Sequence, residues 1–218
     1  MATASTAGTP ILPIGSVDGV TARPLVLASA SPARLRMLRD AGFDPVVCVS
    51  GVDESAVAQD DPWVLVRELA TRKATTVAAS YGAADALVVG CDSMLLLDGD
   101  VLGKPADATE AVERWRRMRS RTGVLLTGHC VVDVGSGRTA AEVADTVVRF
   151  GNPSDDEIDA YVGTGEPLRV AGAFTIDGRS AVFLDGVDGD PSNVVGLSLP
   201  LLRRLLAELG VAVTSLWR

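Results

Sequence analysis

Apolar residues change their spacing several times along the chain, and each change marks an element. Leu25, Val26 and Leu27 form a short continuous run suited to a buried strand. Ser31 and Pro32 then make a helix start, with the hydroxyl as N-cap and the proline at the first helical position. Leu35, Leu38 and Ala41 follow at helical spacing, and Gly42 can supply the left-handed residue that closes the helix. Residues 44–50 read as a second strand. Asp61-Pro62 repeats the cap-plus-proline start and opens a helix with Val66, Leu69, Lys73 and Val77 on one stripe. Residues 86–90 are again continuously apolar and run into Cys91-Asp92, a buried strand with a carboxylate at its C-terminal end. Residues 94–97 and 101–102 flank Asp98-Gly99, which reads as a hairpin.

Farther on, residues 107–118 have helical periodicity, with Ala111, Val112, Trp115 and Met118 inward. Residues 124–134 and 139–150 read as two long strands joined by Gly135-Ser136-Gly137. Ser154 and Glu157 form a capping box that starts a short helix through Tyr161. Residues 185–190 read as an acidic, glycine-rich loop without the ligand spacing of a calcium site. Ser198 and Pro200 start a last helix over 201–209, closed by Gly210. Strands that alternate with helices predict an α/β fold. Residues 1–23 are small and polar with no charge before Asp18, which predicts a disordered leader rather than a signal peptide. Residues 24–218 read as one domain.

Composition narrows the function classes. The 218 residues are 47% hydrophobic but only 4% aromatic, so the core is built of Val, Leu and Ala. A net charge of −8 argues against a broad nucleic-acid or anionic-membrane surface. Cys48, Cys91 and Cys130 lie far apart and read as small apolar residues in a reducing cytosol. No apolar run approaches the roughly eighteen residues of a membrane span.

Several residues carry candidate chemistry. The strand-turn-helix over 25–42 points backbone amides and a positive helix end at Ser29, Ser31 and Arg34, which suits a phosphate, though an ordinary capped junction looks the same. Lys73 on an apolar stripe either faces a partner or snorkels to the surface. Lys104 follows a glycine but lacks the P-loop pattern. His129, the only histidine, reads as a satisfied strand residue, and the five arginines between 114 and 121 read as a solvated helix face.

Segments in order along the chain resemble the Maf family of nucleoside triphosphate pyrophosphatases. They are Ser29-Ala30-Ser31-Pro32-Ala33-Arg34, Val52-Asp53-Glu54, Lys73 with its neighbours, Gly90-Cys91-Asp92-Ser93 and Leu102-Gly103-Lys104-Pro105, then Ala171-Gly172-Ala173-Phe174-Thr175-Ile176-Asp177-Gly178 and Asp188-Gly189-Asp190 to Gly196-Leu197. Together they span residues 25–209. The resemblance implies a Maf/ITPase-like fold, an elongated mixed β-sheet flanked by helices with two lobes around a central cleft. It implies cleavage of a nucleoside triphosphate to monophosphate and pyrophosphate with Mg²⁺ or Mn²⁺. Glu54 and Asp92 are then the metal ligands and Asp92 the proton acceptor as well, with Lys73 and Lys104 beside them as catalytic residues. Ser29, Ser31, Arg34 and Asp177 would bind substrate, while Asp53 reads as solvated surface and Asp190 as a weaker site residue. A cytoplasmic homodimer, free of nucleic acid and membrane, completes the expectation. Ala33 replaces a family arginine, and the histidine usual near Gly123 is missing. The base preference leans to pyrimidines. The alternative is a nucleotide-binding regulator of septum formation without significant turnover.

Overall fold

The computed structural model describes residues 23–82 and 84–218. The predicted leader falls outside them except for Arg23, which pairs with Asp85 at 2.5 Å and with Asp133. Strand β1 (Leu25–Leu27) lies between β2 (Val46–Val47) and β3 (Leu87–Leu97), parallel to both. Helices α1 (Pro32–Asp40) and α2 (Pro62–Ala79) make the crossovers that parallel pairing requires. All later pairings are antiparallel: β4 (Asp100–Leu102) folds back on β3, and β5 (Thr122–Asp133), β6 (Thr139–Phe150) and β7 (Leu184–Gly189) extend the sheet. The result is a mixed seven-stranded sheet of order β2-β1-β3-β5-β6-β7, with β4 on β3. Helices α3 (Ala108–Met118), α4 (Asp155–Gly163), α5 (Pro191–Val195) and α6 (Leu199–Glu208) complete the α/β fold. Among the described residues no helix is long and apolar enough to cross a membrane.

Alternation along β3 divides the core. Leu87, Val89 and Cys91 pack on one face with Leu38 of α1 and with Leu201, Leu202 and Leu205 of α6. Val88 faces the other way and packs with Ala70, Ala74 and Val77 of α2. Beyond Asp92 the same strand enters a separate core, where Leu95 and Leu97 meet Trp115, Phe150, Tyr161 and Phe174. Trp115 anchors that lobe edge-on to Tyr161 and Phe183, at 5.4 and 5.8 Å between ring centroids, and its indole N–H donates to the Ala173 carbonyl at 2.8 Å. The cores on the two faces of β3 before Asp92 belong to one lobe and the Trp115 core to the other, with Asp92 at the crossing.

The structure departs from the sequence reading in four places. The strand expected over 44–50 shrinks to Val46–Val47, because it is a sheet edge and Pro45 has no amide to give a ladder. The strand expected to end at Asp92 runs on to Leu97, since β5 pairs with it throughout; the parallel partner β1 is what stops, at the Val89 level. The acidic loop over 185–190 is largely β7, an edge strand whose Gly186 and Gly189 take positive φ. Of the five arginines, Arg114 is buried while Arg116, Arg117 and Arg121 are exposed. The Asp98-Gly99 turn has positive φ at both residues, as a type I′ hairpin requires.

Two glycines set the depth of α2. Gly90 and Gly128 lie on adjacent strands under the helix, and a methyl group at either would sit inside a helix carbonyl, that of Ala70 or of Val66. The helix backbone therefore rests directly on the sheet. Gly128→Ala should push α2 away and destabilise the protein by about 3 kcal/mol, read as a lower denaturant midpoint. An unchanged midpoint would mean that the helix tolerates the shift.

His129 is fully buried on β5. Its Nδ1 meets the Thr127 carbonyl at 2.9 Å and its Nε2 accepts from the Ser198 amide at 2.8 Å, at the start of α6. Burial, with Arg34 adding to it, pushes its pKa down to about 4 despite the Thr127 bond. The unfolded chain takes up this proton near the ordinary value of about 6.5, so stability is retained above that pH and falls as pH drops towards 4, by about 3 kcal/mol over the window. His129→Gln should remove that component, so the stability gap between wild type and variant narrows between pH 7 and pH 4 in parallel denaturation series.

Candidate active site

Lys73 projects from α2 towards β3, where the glycine contacts bring its ammonium within 2.5 Å of Asp92 Oδ1. The same ammonium is 2.6 Å from Glu54 Oε1, on the short turn Glu54–Ala56 that follows β2. Asp92 and Lys73 are largely enclosed, at 7% and 11% side-chain exposure, whereas Glu54 is 53% exposed. Burial pushes the Asp92 carboxyl above the usual carboxylate range, against the opposing pull of Lys73 and Arg34. That direction suits a group meant to take a proton near neutrality.

Arg34 forms a second focus. Its Nε donates to the Gly196 carbonyl at 2.7 Å, Nη1 to Ser29 Oγ and the Cys91 carbonyl, both at 3.0 Å, and Nη2 to Ser93 Oγ at 2.9 Å. The guanidinium so ties the start of α1 to β3 and to the end of α5. Ser29 Oγ also accepts from the Ser31 amide at 3.2 Å, and Ser31 Oγ caps α1 through the Arg34 amide at 3.3 Å. Both hydroxyls accept from the protein, which leaves their O–H groups for an oxygen ligand at the helix N-terminus.

A cleft of about 820 Å³ runs between the lobes, and Ser29, Ser31, Arg34, Glu54, Lys73, Asp92, Lys104 and Asp177 all line it. Residues far apart in sequence thus converge. Lys104 makes no ion pair among the described residues. Its loop is held by the buried Arg114, whose Nη1 donates to the Gly103 carbonyl at 2.6 Å, and by the Gly172 amide at 3.0 Å. Asp177 accepts from the Thr175 hydroxyl and, at 2.6 Å, from Arg36. Asp53 and Asp190 instead cap short helices through the Ser55 and Ser192 amides, and neither lines the cleft.

Sequence reasoning missed Arg36, Ser93, Thr127 and Arg114. Ser93 bridges Arg34 to Thr127 Oγ1 at 2.9 Å, a role that only strand pairing reveals. Arg114 could have been suspected from Glu110 four residues before it, the acidic partner that its Nε contacts at 3.0 Å.

Residues 24–209 match the family described as Maf-like protein, a span that runs from before β1 to just past the end of α6. The chain belongs to the Maf family. Its relatives include a nucleoside triphosphate pyrophosphatase from Streptomyces coelicolor, 64% identical over 195 residues that cover 89% of this chain and 95% of that protein. The protein of the same name from Thermosynechococcus vestitus is 52% identical, covering 88% and 96%. A solved HAM1 protein from Coxiella burnetii aligns over 85% of this chain and 99% of its own at 16% identity and a TM-score of 0.46.

In this Maf protein the donor set also bears on a cation. Glu54 and Asp92 are hard oxygen donors on one cleft wall, and among the described residues no third carboxylate, imidazole or thiolate joins them. Two carboxylates, with room for water and phosphate oxygens, fit the ligand preference of Mg²⁺. Lys73→Met should leave Asp92 buried without its ammonium and cost about 3 kcal/mol by denaturant unfolding. Adding Asp92→Asn to that variant should recover most of the loss; a double variant no more stable than Lys73→Met alone would show that the two side chains are not coupled.

Proposed function

We infer that this Maf protein is a nucleoside triphosphate pyrophosphatase, cutting between the α and β phosphates. The observation that carries this is the sharing of one lysine ammonium by Glu54 and Asp92 inside a cleft that Lys104 and the α1 N-terminus also line. Mere nucleotide binding does not require a buried, proton-accepting carboxylate beside a cationic cradle. Relatives named nucleoside triphosphate pyrophosphatase, from 52% to 64% identical, support the same reading.

Chemically, the phosphate chain lies along Ser29, Ser31 and the first turn of α1, whose amides and dipole favour its charge. Lys104 draws charge towards the departing pyrophosphate. A water attacks the α phosphorus, its proton passes to the Asp92 carboxylate, and the α–β phosphoanhydride bond breaks as pyrophosphate leaves. Lys73 holds Asp92 in place and keeps it oriented. Arg34, itself in the cleft lining, shapes the cradle through hydrogen bonds from Nε, Nη1 and Nη2 to protein acceptors. A divalent cation, Mg²⁺ or Mn²⁺, would be held by Glu54 and Asp92 and would supply neutralisation of phosphate charge. The cytoplasmic homodimer, the absence of nucleic-acid and membrane partners, and the pyrimidine preference rest on the family resemblance.

The test is pyrophosphate release from dTTP, UTP, 5-methyl-UTP, 7-methyl-GTP and the standard triphosphates, with Mg²⁺, Mn²⁺ or EDTA. Metal-dependent turnover of one subset is expected, and Asp92→Asn should lower kcat at least a hundredfold with an unchanged circular dichroism spectrum. No turnover by a folded wild-type protein across the panel would overturn the reading.

A further inference from the structure

The cations of the cleft are not equally free. Arg34 spends Nε, Nη1 and Nη2 on protein oxygens, and Lys73 is held by two carboxylates. A triphosphate brings several negative charges to the α1 end of the cleft, where these two are already engaged. Arg36 lies on the same helix and also lines the cleft. Its side chain is 59% exposed, and its single ion pair among the described residues, with Asp177, engages only Nη2. The other donors of its guanidinium have no partner among the described residues.

Helix geometry brings Arg36 into range. Side chains on an α-helix lean towards its N-terminus, so Arg36 leans back over the turn that contains Ala33, three residues earlier. Ala33 carries only a methyl group, which leaves that face open for the guanidinium beside the Ser29–Ser31 turn. Asp177, on the opposite side, is 30% exposed and already accepts from Thr175. Arg36 and Asp177 also line a neighbouring pocket of about 340 Å³, so their pair is a wall common to two cavities and has space to open. An exposed ion pair contributes little, while hydrogen bonds from a guanidinium to phosphate are charge-assisted and bidentate. Exchange of Asp177 for phosphate is therefore favourable.

We propose that Arg36 binds the phosphate chain of the substrate, leaving Asp177 as the cleft fills. The Arg36–Asp177 pair is then a latch across the cleft that phosphate opens. This rests on the nucleotide reading above, and the experiment separates the two. Arg36→Gln is compared with wild type in KM for the best triphosphate of the panel and, by calorimetry with metal present, in Kd for pyrophosphate. Both constants should rise about tenfold at an unchanged melting temperature. Ala33→Arg placed in the Arg36→Gln background should recover much of the loss, because position 33 shares that helix face. A KM and a pyrophosphate Kd within about twofold of wild type in Arg36→Gln would overturn the proposal. Wild-type pyrophosphate binding that weakens in Arg36→Gln, without turnover of any triphosphate by the wild type, would overturn the pyrophosphatase reading and leave Arg36 as a phosphate ligand.

Discussion

The rest of the site depends on how closely α2 lies against the sheet. A lysine can share its ammonium with Asp92 only if the helix axis is near enough to the strand, and side chains beneath the helix would hold it away. Gly90 and Gly128 remove those side chains and let helix carbonyls rest on strand backbone. That approach sets Lys73 at 2.5 Å from Asp92 and permits two charged groups to be enclosed together. Taking either charge out of water alone is costly, so each stabilises the burial of the other. Asp92, past the Val89 level at which β1 ends and where β3 passes from the Leu87–Cys91 core to the Leu95–Leu97 core, is the point at which this compensation is placed.

Arg34 applies a different constraint. Its partners belong to residues 29, 91, 93 and 196, so one guanidinium joins the α1 turn, the central strand and the close of α5. The polar chain goes on through Ser93 to Thr127, and Asn193 binds Thr146 at 3.1 Å on the next strand. Such a connected, enclosed network fixes the cradle's shape more than it adds stability. Arg34 thus acts as a strut within the cleft lining, while Arg36, two residues on, keeps a more accessible guanidinium. Division of labour between two arginines of one helix follows from which of them the neighbouring strands can reach.

His129 shows the same economy of partners. Both ring nitrogens are engaged, one by its own strand and one by the Ser198 amide that opens α6, so the imidazole acts as a neutral joint between sheet and helix. Arg114 holds the Gly103 carbonyl from inside a helix whose other arginines face water. In each case the burial of a polar group is repaired by hydrogen bonds to backbone, and the backbone so held carries a cleft residue or opens a helix.

Local pattern was enough to determine the elements and their caps: Ser31-Pro32, Asp61-Pro62, the Asp98-Gly99 turn and the Ser154–Glu157 box all form as the residues dictate, since each is satisfied within a few positions. The motifs also named eight of the side chains that line one cleft. Tertiary structure decided what a one-dimensional pattern does not hold. Strand pairing carried β3 past Asp92 and turned an acidic loop into β7, because ladder bonds come from residues distant in sequence. Partner geometry tied Arg34 to protein oxygens, buried Arg114 and left Arg36 exposed with one ion pair to Asp177, although all three look alike in sequence. What a charged side chain does depends on the acceptors that the fold places within about 3 Å of it, and that distance is set only when the chain is packed.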